Sequence, residues 1–208
     1  MLDFLFHTYK DASLMQIWLE FTAFLFGILS VWFAKKENIW VYPTGLIATV
    51  ITTYLLWEAG YLGDMMVNAY FSVMSLYGWY KWAQGKTNND LQITRTTQRE
   101  KVIGTLLFFM TIFVVFGIYK IFGNTIKEDN YIDIFASGLF FTAMWYMALK
   151  KIDNWTLWII GDVIVTPLYA YRGLGMLALQ YLIFTILAVS AYLEWKKILS
   201  NNIPSSQK

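Results

Sequence analysis

Lys150–Tyr171 reads KKIDNWTLWIIGDVIVTPLYAY. Two lysines and a short polar link open it. From Trp155 onward it is apolar for long enough to cross a hydrocarbon core of about 30 Å as one helix. A single carboxylate, Asp162, stands about two turns from either end of that run. A charged group in the middle of such a helix is costly in lipid and has to be housed among other helices. The stretch therefore predicts a bundle of membrane helices around itself.

Windows of the same kind occur at 15–34, 40–57, 61–80, 102–122, 132–149 and 174–194, which with 155–171 makes seven. Short polar links join most of them: KKEN, EAGYLGD, KIDN and RG. Two links are longer. Lys81–Lys101, which contains QGKTNND, reads as a flexible exposed loop, and Gly123–Tyr131 contains NTIKEDN. The tail SNNIPSSQK reads as disordered. The expected fold is an all-α polytopic membrane protein of seven transmembrane helices, a single transmembrane domain over residues 1–208.

Composition agrees. The chain is 58% hydrophobic and 14% charged, against about 25% charged in a soluble domain. This excludes a disordered chain, a disulfide scaffold and an ordinary soluble enzyme, and leaves no room for a second soluble domain. A net charge of +2 without a basic run argues against nucleic acid as a partner. There is no cysteine, and the one histidine is His7, so neither a thiolate metal site nor histidine chemistry is expected. No phosphate-binding loop signature is present. No cofactor, metal or catalytic residue is expected, and no enzyme activity. The opening MLDFLFHTYKD lacks the basic start, apolar core and small-residue cleavage site of a signal peptide, so the first span is expected to direct insertion.

The lysines and arginines divide unevenly between the two ends of the spans. Lys35, Lys36, Lys81, Lys86, Arg95, Arg99, Lys101, Lys150, Lys151, Lys196, Lys197 and Lys208 fall at one end, twelve in all, and Lys10, Lys120, Lys127 and Arg172 at the other, four in all. The positive-inside bias predicts an outside N-terminus and a cytoplasmic C-terminus. Two parts of the chain also read alike. KKEN leads to a span ending YGWYKW (Tyr77–Trp82), and KKIDNW leads to a span ending AYLEWKK (Ala191–Lys197). The expected layout is a first three-helix unit at 15–82, a linking helix at 102–122 and a second unit at 132–195. One intervening crossing gives both units the same orientation, as parallel repeats about an axis along the membrane normal.

Aromatic residues make up 19% of the chain, with 10 Trp and 14 Tyr. Trp79, Trp82 and Trp195, at span ends, are expected in the interfacial aromatic belt. Trp155, Trp158 and Asp162 share one helix face at 3.6-residue periodicity. An acid framed by two indoles suits a flat organic cation, the rings stacking and the carboxylate balancing the charge. A hydrogen-bonded Asp162 bracing the bundle is the other reading. Asn68 and Gln180, at matching places in the two units about one turn into the third and seventh spans, could bond a substrate or join helices. Tyr70, Tyr77 and Tyr181 add hydroxyls at similar depths. Glu20 reads as a structural group of the first span. Pro43, Gly45, Gly161 and Pro167 are candidate bends.

ENIWVYPTG, NAYFSVMSLYGWYKW and KKIDNWTLWIIGDV with YLEWKK together resemble the PnuC family of vitamin transporters, over nearly the whole chain from Trp18 to Trp195. The resemblance implies a fold related to the SWEET sugar carriers: two parallel three-helix bundles joined by a fourth helix, in a homotrimer in the bacterial cell membrane. It implies facilitated diffusion of nicotinamide riboside, with trapping by a cytoplasmic kinase, or of thiamine in some relatives. It places the family's tryptophans on Trp155 and Trp158. Asp162 stands where an Asn is typical, Asn68 where Gln is common, and Ser75 and Ala48 where the family often has Asn, with Ser190 the position in the seventh span that corresponds to Ser75. Both vitamins carry one positive charge on an aromatic ring. No Lys or Arg lies deep in a span to receive a phosphate, so the dephosphorylated vitamin is the expected cargo.

Overall fold

The structure is a computed structural model, and it describes residues 13–58, 62–88, 91–121 and 128–201. Among these residues there are seven helices and no strand beyond one isolated bridge: α1 Leu14–Lys35, α2 Val41–Glu58, α3 Leu62–Asn88, α4 Gln98–Ile121, α5 Glu128–Ala148, α6 Asp153–Tyr171 and α7 Gly175–Asn201. Each expected span falls on one of them, overrunning its described bounds by at most one residue. α1, α4 and α7 are long and apolar enough to cross a membrane by length and composition. The other four dilute their apolar runs with hydroxyls, amides, acids or glycines, several of them buried: Thr44 in α2, Ser75 in α3, Thr142 in α5, Asn154 and Asp162 in α6. The apolar surface faces outward instead. Leu106, Phe109, Met110 and Phe113 of α4 are each at least half exposed, as suits a lipid-facing helix.

α1 packs on α2 and α7, α3 on α2 and α5, and α6 on α5 and α7. Six helices thus close a ring in chain order, and α4 lies outside it against α5. Pro43 falls in the first turn of α2, where no intrahelical donor is lost. α6 runs unbroken through Pro167. Glu20 accepts a hydrogen bond from Gln16 one turn earlier, a local contact within α1.

The link between α3 and α4 departs from its reading as a flexible exposed loop. α3 continues through Asn88, and Ile93 is 3% exposed. Thr94 exchanges backbone hydrogen bonds with the α5–α6 turn: its N–H donates to the Lys150 carbonyl at 3.2 Å, and the Ile152 N–H donates to its carbonyl at 2.9 Å. Thr96 donates from N–H and Oγ1 to Asp153 Oδ2 at 2.8 and 3.0 Å. Thr97 and Glu100 form a reciprocal capping box at the start of α4, a signal already written in the sequence as TQRE. Lys151 pairs with Glu100 at 2.9 Å. The tail expected to be disordered lies outside the described residues beyond Asn201.

Contacts at one end of the ring recur 113 residues later. Asn38 N–H donates to Phe33 and Glu37 N–H to Ala34; Lys151 N–H donates to Tyr146 and Lys150 N–H to Met147. Tyr42 meets Trp82 edge-on at 5.2 Å, and Trp155 meets Trp195 edge-on at 5.4 Å. The Trp82 indole donates to the Met147 carbonyl at 3.3 Å, and the Trp195 indole to the Ala34 carbonyl at 3.2 Å. This spacing sets Lys150 against Glu37, whereas the likeness of the two lysine pairs sets it against Lys35. It also sets Ser75 against Ala188 and Asn68 against Tyr181, not against Ser190 and Gln180.

Trp82 and Trp195 are therefore not belt residues. They are 3% and 0% exposed, in a core with Tyr42, Trp155 and Met147. Trp79, at 40% exposure, keeps the outward position. Trp195→Ala is expected to cost about 3–5 kcal/mol of stability by cavity formation, and Trp195→Phe about 1 kcal/mol through the lost hydrogen bond. Trp79→Ala is expected to cost little. Thermal unfolding of the three variants in detergent checks the ranking.

Candidate functional site

The site grows from one face of α6. Gly161 is there because α5 comes too close for anything larger: a methyl group on it would stand 2.3 Å from Phe140 Cε1. That close approach seats the Phe140 ring against Trp158 one turn earlier, with centroids 5.2 Å apart and planes inclined by 26°. Phe71 of α3 reaches the same indole at 6.2 Å. Phe140 also stacks on Tyr181 of α7 at 6.1 Å and 23°, and Tyr181 lies 5.2 Å from Tyr169 at the end of α6. Rings from α3, α5, α6 and α7 thus make one continuous wall, with Ala136 and Val165 behind it.

Asp162 follows Trp158 by one turn and is 2% exposed. Among the described residues it is the one buried side chain of charged type, and its Oδ1 has no hydrogen-bond partner. The indole N–H groups of Trp155 and Trp158 are likewise buried without an acceptor. Buried polar atoms are rarely left unpaired. With Asn154 Oδ1 there are four on one helix, and the two beside the stacked aromatic wall are what a site for a flat polar ligand presents.

The other expected residues divide. Trp155 packs one layer away, toward Trp195, at 1% exposure. Ser75 is 2% exposed and faces Gly45, which also receives Ser30. Asn68 is half-buried in α3, and its carbonyl accepts from Ser72, whose hydroxyl bonds Thr49 at 2.8 Å. Gln180 lies against Gly27 of α1, and Tyr70 stacks on Phe141 at 3.6 Å. Tyr77 lies on the outer surface at 36% exposure, with the Lys81 ammonium 5.8 Å above its ring, and is not brought to the wall. Phe71, Phe140 and Tyr169 were not singled out by sequence, since a phenylalanine in an apolar run reads the same toward lipid as toward a site. The GLFF run of α5, facing the glycine of IIGD, was the available signal.

A ring of apolar helices around a buried acid and aromatic wall is an arrangement that suits a membrane transporter. Residues 17–197 match the family described as nicotinamide mononucleotide transporter, and the chain belongs to that family. It is similar to the nicotinamide riboside transporter PnuC of Escherichia coli, 25% identical over 202 residues that cover 86% of this chain and 84% of that protein. It is also similar to the riboflavin/roseoflavin transporter RibM of Streptomyces davaonensis, 19% identical over 186 residues with the same coverage. A crystal structure of the vitamin B3 transporter PnuC shares the fold, with a TM-score of 0.73, 23% identity and coverage of 96% of this chain and 90% of that one.

Gly161→Ala is expected to push Phe140 off Trp158 and cost about 1–3 kcal/mol by overpacking. Thermal unfolding and the tryptophan emission spectrum together report the displacement.

Proposed function

We propose that the chain is a uniporter for nicotinamide riboside, which crosses by facilitated diffusion and is trapped by phosphorylation in the cytoplasm. The observation that carries this reading is the buried carboxylate of Asp162 beside the stacked Trp158–Phe140–Tyr181 wall. A pyridinium ring stacks on such a wall, and the acid opposes its charge. The unpaired indole N–H of Trp158 donates to the ligand's polar atoms, and Asn68, Ser75 and Gln180 supply further hydrogen bonds. Trp155 supports Trp158 from the adjoining layer.

Charge separates the riboside from its phosphate. A mononucleotide brings about two negative charges, and Asp162 would repel them. Near the opposite end, Arg172 is engaged by Asp129 and Asp133 at 2.6 Å each. Uniport accords with Asp162 being the one buried acid among the described residues, since a proton relay needs a chain of buried acids.

The remaining organisation follows the same reading. All seven helices span, with the basic end in the cytoplasm and the N-terminus outside. α1–α3 and α5–α7 are two parallel units in the SWEET manner, joined by α4, and the contacts recurring at a spacing of 113 support that division. The units rock against each other to expose the site alternately. The assembly is a homotrimer in the bacterial cell membrane.

Trp158→Ala is expected to abolish most binding, and Asp162→Asn to weaken nicotinamide riboside at least tenfold while sparing a neutral analogue. The test is a thermal-shift and proteoliposome-uptake panel of nicotinamide riboside, thiamine, nicotinamide mononucleotide and riboflavin. Selective response to the riboside supports the reading, and selective response to any of the other three overturns it.

A further inference from the structure

Helices that end in a left-handed residue place glycine there, because other side chains are strained at positive φ. α6 ends in that way at Gly173, with φ of 76° and the Leu174 N–H returned to the Tyr169 carbonyl. α1 and α5 end with the same hydrogen-bond pattern but with Glu37 and Lys150 in the left-handed position, both at φ of 51°. These two residues correspond at the 113-residue spacing, and they pair with each other: Lys150 Nζ lies 3.0 Å from Glu37 Oε2. A contact between corresponding positions lies on the axis that relates the two units. The side chains are 15% and 26% exposed, so the pair is well shielded from water. Lys150 Nζ also lies 4.7 Å from the centroid of the Trp82 ring, whose N–H is held by Met147 three residues before Lys150.

At two turns where the backbone favours glycine, the chain instead carries opposite charges that meet on the axis. The turn chemistry does not explain those residue types, and the charge does. We infer that Glu37 and Lys150 are the gating residues at the basic end: their ion pair, braced by Trp82, holds the α1–α2 and α5–α6 turns together while that end is closed, and it parts when the end opens. The inference rests on the transporter reading above, and it names the residues that reading lacks.

The chain has no cysteine, so labels can be placed without background. Spin labels on Lys36→Cys and Leu149→Cys, the residues preceding each member, leave the pair intact. In proteoliposomes the distance distribution is expected to show a dominant short population and a minor one longer by about 5 Å or more. Glu37→Gly or Lys150→Gly, each of which relaxes its turn, is expected to raise the longer fraction at least twofold with the protein still folded. A Glu37→Lys, Lys150→Glu exchange is expected to restore the original distribution, where Glu37→Lys alone does not. A single population unmoved by the glycine variants, or an exchange no better than the single reversal, overturns the gate. Two populations that respond to these substitutions but not to added nicotinamide riboside uphold the gate and count against the substrate assignment alone.

Discussion

Trp82 and Trp195 each bury a whole indole among helices, and each buried N–H must find an acceptor there. Both find it on the far side of the ring's seam: Trp82 leaves α3 for the end of α5, and Trp195 leaves α7 for the end of α1. Without a hydrophobic drive between helices in lipid, packing and such interhelical hydrogen bonds hold a bundle together. These two bonds fasten α1–α3 to α5–α7 at the basic end, and everything placed there depends on them. The turns at Glu37 and Lys150 start from the helices that supply the acceptors. The α3–α4 link docks on the turn that Trp82 anchors, and Trp155 rests edge-on against Trp195.

The frame repeats, and its lining does not. At the spacing that matches the two tryptophans, Trp158 corresponds to Gly45 and Asp162 to Thr49. The acid and most of the aromatic bulk come from α5–α7, with Phe71 added from α3, while the positions of α1–α3 that match Phe140, Trp158 and Asp162 carry only Gly27, Gly45 and Thr49. This division of labour also explains why α2 and α6 differ in composition while occupying like places in the ring.

Much of this was legible in the sequence. Hydropathy located every helix, because an apolar run of sufficient length has few alternatives in lipid. Asp162 and Trp158 stood out because a lone acid in such a run is expensive. What escaped was orientation. A tryptophan at a helix end reads the same whether it faces headgroups or another helix, so Trp82 and Trp195 were assigned to the wrong environment. Phe140 was invisible for the same reason. The link was misjudged because QGKTNND is polar, although the capping box in TQRE and the apolar Ile93 both marked an ordered start to α4. Register was misjudged in two ways: the identical lysine pairs drew Ser75 toward Ser190, two residues beyond the spacing of the tryptophans, and the shared amides drew Asn68 toward Gln180, one residue short of it.

The left-handed residues carry a consequence for anyone improving this protein. Stability-guided redesign replaces a strained non-glycine at a helix end with glycine and commonly gains from it. Applied at Glu37 and Lys150 it would deliver a more relaxed backbone and erase the charges that meet on the axis. Screens that reward expression and heat resistance would select those changes together, and the resulting protein would fold well with its two halves no longer electrostatically coupled at that end.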